Sequence, residues 1–572
     1  MISRSTNPDS DAAPRVGVFL CRCGDGIEAV LDLSGLAEEA ARMPGVVRVQ
    51  VDAYPCAGRG LVSLKEAVKT HGIDRVVVAG CTPRTHRPGF RRVLKEMGIH
   101  PAGFEMVNLR EHCAWAHRQG GPPVQEKARD LLRMGVARSL AWKPSDLSGK
   151  PVVRTAAVIG AGISGITAAG ALAARGFHVF LLEKEDQAGG LLGKLGTLYP
   201  SGKDPAVQVQ KKLAAIRRNP GVDLRTGTSI DRIERTHTGY RLYLESGGNG
   251  AEALDVSLVL LATGARPLAP SELAGWESPG VVSLLDLEGM LREGTLEARH
   301  VVMVLCAGAR CDRRPYCARF CCMAAVKNAR LLREHDPACA VTVLYRDLSV
   351  NCMNPRDIKD ALSEGVRFVR FDPAVPPRPR GNAAVFRSAD GTEDEISCDL
   401  VVPVTPMVPL DETRRLAGMI GLPADAHGFV VERQVKLKPE WPVIPGAAVA
   451  GSAHWPCSAS EAARQAMEAA AGMARWLDEA ADAPEAVRAA VDIRRCIGCG
   501  LCADVCPFNA AALTTVDNEQ KAFIAAAACR GCGICSAGCP ALAITLQNHT
   551  DAQLRAQIRA LSADKGISAH ER

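Results

Sequence analysis

Near its C-terminus the chain carries one unusual pattern twice. Cys496, Cys499, Cys502 and Cys506 are followed by Pro507, and Cys529, Cys532, Cys535 and Cys539 by Pro540. Both runs read C-x2-C-x2-C-x3-C-P, and they begin 33 residues apart. Two-residue gaps filled with small Gly or with Ile and Leu let a backbone curl around a cube of iron and sulfide, with N–H groups turned toward the sulfurs. Zinc knuckles instead pair two cysteines with a distant second pair. The doubled run therefore predicts two [4Fe–4S] clusters. The whole chain has 22 cysteines in 572 residues. Its start, MISRSTNPDSDAAPR, shows no apolar signal core, so the expected setting is the cytoplasm, where disulfides are rare and thiols on this scale serve metals.

The run resembles that of bacterial two-cluster ferredoxins, in which the fourth cysteine of each copy serves the other cluster. The resemblance implies that one cluster takes Cys496, Cys499, Cys502 and Cys539. The other takes Cys529, Cys532, Cys535 and Cys506. Four further cysteines (Cys339, Cys352, Cys398 and Cys457) stand apart and read as buried hydrophobes.

In the centre, TAAVIG reads as a buried strand that runs into Gly160-Ala161-Gly162-Ile163-Ser164-Gly165 and then an apolar helix. A second strand, HVFLLE, ends on Glu183. The near-uncharged stretch Thr155 to Ala174 is thus a strand and helix rather than a membrane span. This is a dinucleotide fingerprint in its strand–turn–helix–strand context. Gly160 makes the turn. Gly162 lets a pyrophosphate approach the helix N-terminus, where Ile163 and Ser164 begin. Gly165 permits close helix–strand packing, and Glu183, followed by Lys184, holds ribose hydroxyls. Gly190 with Leu191, Ala262-Thr263-Gly264 at the end of a later strand, and a late Gly451 favour FAD over NAD. These features resemble the thioredoxin-reductase-like FAD proteins. In that superfamily Asp usually follows the late glycine; here the residue is Ser452. No cysteine pair follows Gly190, so the superfamily's dithiol chemistry is not expected.

A second nucleotide turn should follow the strand HVVMVL, but it reads Cys306-Ala307-Gly308-Ala309-Arg310-Cys311. With one glycine of three, NAD(P)H binding is not expected there. Cys306, Cys317, Cys321 and Cys322 instead form a candidate ligand set, with Cys311 spare. Cys317 and Cys321, four apart, would share a helical face. Lys327, five residues beyond Cys322, is a candidate catalytic residue: its ammonium could reach a flavin ring and tune it. The competing reading is a solvated lysine on a charged helix face.

Residues 15–107 alternate strand and helix, which argues a parallel α/β sheet. Cysteines follow the strands, and loops at that edge converge. Cys23, Cys56, Cys81 and Cys113 form a candidate fourth cluster set, with Cys21 competing for the place of Cys23. His86 and His112 read as hydrogen-bonded surface residues.

Four segments, in order, are Cys21-Arg22-Cys23-Gly24, Ala79-Gly80-Cys81-Thr82-Pro83-Arg84-Thr85-His86, Glu111-His112-Cys113-Ala114-Trp115 and Tyr316-Cys317-Ala318-Arg319-Phe320-Cys321-Cys322-Met323. Together they resemble the A subunit of heterodisulfide reductase, an iron–sulfur flavoprotein, over about residues 15–545. The resemblance implies an oxidoreductase subunit with FAD and about four [4Fe–4S] clusters. Its implied partners are heterodisulfide reductase B- and C-like redox subunits, a hydrogenase- or NADH-linked donor module and ferredoxin, with a homodimer core left open. Fuller members carry an inserted ferredoxin module and bifurcate electrons; no cysteine lies between Gly190 and Ala262 here, so that exit is missing. The alternatives are an NAD(P)H–ferredoxin oxidoreductase and a non-catalytic redox scaffold or sensor. The net charge of +6, on 69 basic and 63 acidic residues, is too balanced for nucleic acid.

The expected fold class is α/β. A disordered tail (1–14) precedes an N-terminal parallel α/β iron–sulfur domain (15–145). A thioredoxin-reductase-like FAD-binding Rossmann domain with a degraded second half (151–482), a two-cluster ferredoxin domain (485–545) and a C-terminal tail (546–572) follow.

Overall fold

The computed structural model describes residues 13–143, 153–199, 201–236, 239–246, 249–349, 354–431, 444, 446–481, 487–525 and 528–562. Most of the expected N-terminal tail, and Cys352, lie outside them. The chain divides into two compact units, one made of residues 1–151 and 481–572, the other of Val152–Ala480.

In the first unit, apolar runs too short for helices form a parallel sheet. Its strands are β1 (Val16–Cys21), β2 (Val46–Asp52), β3 (Arg75–Gly80) and β4 (Phe104–Asn108), in the order β2-β1-β3-β4. β1 is buried along its whole length, as a central parallel strand covered on both faces must be. Helices α1 (Leu33–Ala41) and α4 (Pro122–Ala141) pack Leu36, Leu132 and Val136 on one face. Helices α2 (Gly58–His71) and α3 (Pro83–Glu96) pack Leu64, Phe90 and Leu94 on the other. The order reverses between β1 and β3, so the loops leaving those two strands part to opposite faces and open a crevice at their C-terminal ends.

The ferredoxin portion of the same unit is built from two antiparallel strand pairs, Arg488–Val491 with Ile544–Gln547 and Ala511–Val516 with Glu519–Ile524. Each cysteine run opens a one-turn helix, Leu501–Asp504 or Ile534–Ala537. What was expected as a tail from 546 is partly ordered: Asp551–Ser562 is a helix packed on α4. Its start is fixed by Thr550 and Gln553, which bond each other. Trp142 Nε1 donates to Asn548 Oδ1 at 3.0 Å, and Arg138 Nη2 donates to Asn548 O at 3.1 Å.

The second unit holds two parallel sheets. One contains β5 (Thr155–Ile159), β6 (His178–Leu182) and β7 (Val222–Arg225), joined through α5 (Ile163–Ala173) and α6 (Pro205–Arg217). Strands Leu258–Leu261 and Ala447–Val449 extend it beyond β5. The other sheet orders Arg367–Arg370, Ala340–Tyr345, His300–Leu305 and Leu400–Val404, with helix Cys321–His335 packed over it through Ala325, Val326, Ala329 and Leu332. No described helix is long and apolar enough to cross a membrane.

Candidate functional site

The turn between β5 and α5 explains its own glycines. Gly160 sits at φ 101°, and a Cβ there would stand 2.5 Å from the Ala262 carbonyl oxygen. A Cβ on Gly165 would overlap the Gly160 carbonyl. Gly162 is the N-cap of α5 and Gly190 packs on it, 3.1 Å from its own would-be Cβ to Gly162 Cα. Ile163 and Ser164 open α5, so their N–H groups belong to its unsatisfied first turn. Backbone thus lines the cradle where side chains would fill it, as an approaching pyrophosphate requires.

Glu183 ends this cradle at the tip of β6 and is buried. Its Oε2 accepts from Ala161 N at 2.8 Å and its Oε1 from Glu185 N at 3.1 Å, which fixes the carboxylate in place. Lys184 is exposed, its Nζ 3.9 Å from Glu412. Leu191 lies in the short 3-10 turn Gly190–Lys194. At the far strand, Thr263 Oγ1 and Thr413 Oγ1 share a 2.6 Å hydrogen bond beside Ala262 and Gly264. Gly451, at φ 74°, donates to Gln465 Oε1 at 3.0 Å, and Ser452 Oγ lies 3.5 Å from Cys457 Sγ. Cys339, Cys398 and Cys457 are buried, apart from the cysteine groups.

The central cysteines converge, but not by the expected helical face. The helix begins only at Cys321, so Cys317 precedes it. Pro315 and the left-handed Arg319 (φ 67°) keep that segment from helical continuation. Cys317 and Cys321 still hydrogen-bond each other, and that bond pulls the Cys317 thiol down to about 6 while raising Cys321. Arg319 N adds a 3.3 Å bond to Cys317 Sγ. A bond from Cys321 also pulls Cys322 down to about 7, whereas burial pushes Cys306 up to about 11. Cys311 is exposed on the neighbouring turn. Lys327 is not a solvated surface lysine. Its Nζ pairs with Glu288 Oε1 at 2.5 Å and donates to Thr197 O at 3.2 Å. Glu288, 4 % exposed, also accepts from Asn328 Nδ2 at 3.0 Å and Gly196 N at 2.9 Å.

In the ferredoxin portion two cavities are lined by cysteines. One is bounded by Cys496, Cys499, Cys502 and Cys539. The other is bounded by Cys506, Cys529, Cys532 and Cys535. Backbone donors already face these sulfurs. Ala522 N reaches Cys496 Sγ and Ala543 N reaches Cys539 Sγ, both at 3.3 Å. Ala510 N reaches Cys506 Sγ at 3.2 Å, and Ala489 N reaches Cys529 Sγ at 3.4 Å. Such bonds stabilise a charged sulfur core and set its potential. Gly498 and Gly531, both at positive φ, let the two wraps pass against neighbouring backbone. Among the described residues no three His, Cys, Asp or Glu side chains converge on a single ion. A cube is held at its corners instead.

At the N-terminal crevice, Cys21 and Cys23 follow β1, Cys56 follows β2 and Cys81 follows β3. The charges of Cys23, Cys56 and Cys81 all bear on Cys21, whose thiol is pushed up to about 12 by burial and then by these neighbours. Sulfurs this crowded become thiolates together only against a positive partner, which is what iron supplies. Cys113 sits in the π-helical turn Arg110–Ala114, fully buried among α4 residues, with its Sγ on the Val124 carbonyl at 3.4 Å, at the start of that helix. Arg110, which no sequence motif singles out, does enter the crevice and donates to Cys23 Sγ at 3.1 Å. His112, in the same turn, is exposed.

Residues 489–546 match the family model "4Fe-4S dicluster domain", and residues 137–283 match "Pyridine nucleotide-disulphide oxidoreductase". The iron–sulfur A subunit of a CoB–CoM heterodisulfide reductase from Methanopyrus kandleri is 30% identical, the match covering 96% of this chain and 98% of that one. The A subunit of the H2:CoB–CoM heterodisulfide,ferredoxin reductase from Methanothermobacter marburgensis is 28% identical over 87% and 90%. A protein from Archaeoglobus profundus, itself described as similar to the heterodisulfide reductase A subunit, is 26% identical over 98% and 99%. Among solved structures, thioredoxin reductase of T. acidophilum aligns with a TM-score of 0.41 at 16% identity, covering 56% of this chain and 98% of that one.

Proposed function

Since the chain belongs to the family of heterodisulfide reductase A subunits and is an oxidoreductase carrying FAD and [4Fe–4S] clusters, we propose that it is the electron-distributing subunit of a multisubunit complex. It would pass electrons between a donor module, its flavin, its clusters and partner subunits that reduce a disulfide or ferredoxin-linked acceptor. The names of its relatives carry both kinds of acceptor. One observation carries the reading: a single chain holds a backbone-lined dinucleotide cradle together with two cavities, each bounded by four cysteines.

FAD exchanges one or two electrons and each cluster one, so the bound groups would convert pairs into single electrons. The chain's residues supply position and field. The turn Gly160 to Gly165 and the first turn of α5 would take the pyrophosphate, and the buried Glu183 carboxylate the ribose. Thr263, Gly264 and Gly451 would border the flavin end.

The ligand sets we propose are Cys496, Cys499, Cys502 and Cys539; Cys529, Cys532, Cys535 and Cys506; and Cys306, Cys317, Cys321 and Cys322. The N-terminal set is Cys23, Cys56 and Cys81 with Cys21 as the fourth, because the charges of those three bear on Cys21 while Cys113 Sγ is bonded to the Val124 carbonyl. The glycine-poor turn at Cys306, where Cys306 and Arg310 are themselves left-handed, disfavours the NAD(P)H–ferredoxin alternative.

Anaerobic purification from the native cell, with iron, flavin and bound proteins measured, tests this. We expect about sixteen irons and one FAD per chain and co-purifying redox subunits. About eight irons would remove the central and N-terminal sets. A chain that binds no flavin would remove the distributing role.

A further inference from the structure

Arg110 reaches the N-terminal sulfurs from the turn after β4, and its guanidinium is held on three sides. Nη1 donates to Cys23 Sγ at 3.1 Å. Nε and Nη2 both donate to Glu111 Oε1, at 3.0 and 2.8 Å. The group lies 4.5 Å over the Trp115 ring. The side chain is 22% exposed, so solvent screens its charge only in part. That charge also acts on Cys56 and Cys81.

We infer that Arg110 sets the potential of the N-terminal cluster, holding a fixed positive charge and a hydrogen bond against the Cys23 sulfur so that the reduced cluster is favoured. The inference rests on the reading that Cys23, Cys56 and Cys81 hold iron. Reduction adds one electron to the cluster, moves no proton and breaks no bond, so the cluster becomes more negative by one charge. A cation bonded to a ligand sulfur stabilises the more negative state more than the other, and hydrogen bonds and net charge are established levers on cluster potentials. Arginine suits the task because it does not lose its proton and its planar fork is already aimed. Lysine would supply the charge without the fork. Glu111 works the other way: its carboxylate bears on Cys81, and through its two bonds it draws the guanidinium's charge toward itself.

The test uses the full chain, purified anaerobically, titrated with dithionite and followed by electron paramagnetic resonance. Cys23→Ser first identifies the N-terminal signal as the one that disappears. If no signal disappears, the ligand reading and this inference fall together. With that signal assigned, Arg110→Gln should make reduction about tenfold less favourable, a midpoint lower by about 59 mV for one electron. Arg110→Lys should lower it less, and Glu111→Gln should raise it. A packing role for Arg110 would not produce shifts of opposite sign at two adjacent residues. An Arg110→Gln chain with the signal intact at the wild-type midpoint overturns the inference and leaves the ligand reading standing. If Arg110→Gln loses the cluster, Arg110→Lys and Glu111→Gln decide: opposite shifts support the inference, and two unmoved midpoints overturn it.

Discussion

Replacing Gly160 by alanine tests the flavin cradle at its tightest point. The new methyl would lie 2.5 Å from the Ala262 carbonyl oxygen and 3.1 Å from Thr263 Cα, both backbone atoms just past the strand Leu258–Leu261. Clearing the oxygen to a bare 3.0 Å asks backbone, not a flexible side chain, to move about half an ångström. The position also has φ 101°, a region alanine rarely adopts. Strained backbone of this kind costs about 1–3 kcal/mol, and overpacking a close contact costs about the same again, so roughly 2 kcal/mol is the floor. If the turn holds, the cost appears as lost stability of the flavin unit, about 3 °C in Tm at this size. If the turn moves, it appears as at least a thirtyfold weaker hold on FAD, at about 1.4 kcal/mol per tenfold. Flavin reconstitution followed by fluorescence, alongside thermal unfolding, reads both. Gly418→Ala is the control. Gly418 sits in helix Asp411–Ile420 with open space at its Cβ position and should be neutral or slightly stabilising. A Gly160→Ala protein matching wild type in both measurements would refute the cradle geometry.

Cys539→Ser and Cys496→Ser should degrade the same spectroscopic signal and Cys506→Ser the other one, because each cavity draws its fourth cysteine from the opposite run; electron paramagnetic resonance of the single variants shows it. Lys327→Met should lower the flavin midpoint by more than about 30 mV for two electrons, worth about 1.4 kcal/mol, since it removes a cation bonded to the segment just after the cradle; spectroelectrochemistry with full cluster content reads it, and an unmoved midpoint would confine Lys327 to its ion pair. Glu272 is held down to about 2 chiefly by its bond to Arg266, against an ordinary 4.5. A depressed carboxylate stabilises above its unfolded value and loses that contribution as pH falls toward 2, so Glu272→Gln should flatten the acid limb of Tm between pH 4.5 and 2 by a small amount, about 1 kcal/mol or less for an exposed pair.

Much of the architecture is legible in the sequence where one physical demand dominates. β1 and β3 read as strands because parallel strands covered on both faces need unbroken apolar runs. The grouping of the eight C-terminal cysteines follows from their spacing, since a two-residue gap leaves the chain few ways to turn. Cys317 is harder. Four-residue spacing implies a helix, but Pro315 and the left-handed Arg319 precede the first turn, and the contact with Cys321 is made through a loop. Cys113 is harder for a related reason. Its position after β4 matches the other cysteines at strand ends, but the π-helical turn that follows bonds its Sγ to the Val124 carbonyl and brings Arg110 to Cys23, which no spacing rule shows. Lys327 looks like part of a charged face with Arg330 and Arg333. Its partner Glu288 lies 39 residues away in sequence, where no local periodicity could reveal it.

The helix Asp551–Ser562 rests on α4, while the chain between them runs through the entire Val152–Ala480 unit. Topologically the flavin unit is an insertion in a discontinuous body. Closing a flexible loop of some 330 residues would cost on the order of 5 kcal/mol at (3/2)RT ln n. Folding the insertion first shortens the effective loop to the distance between its own two ends. The anchor at Trp142 and Asn548 can therefore form cheaply only after the flavin unit is compact. A lesion that unfolds the insertion, such as a failed cradle, should loosen the seam between α4 and the C-terminal helix even though no residue of that seam is altered.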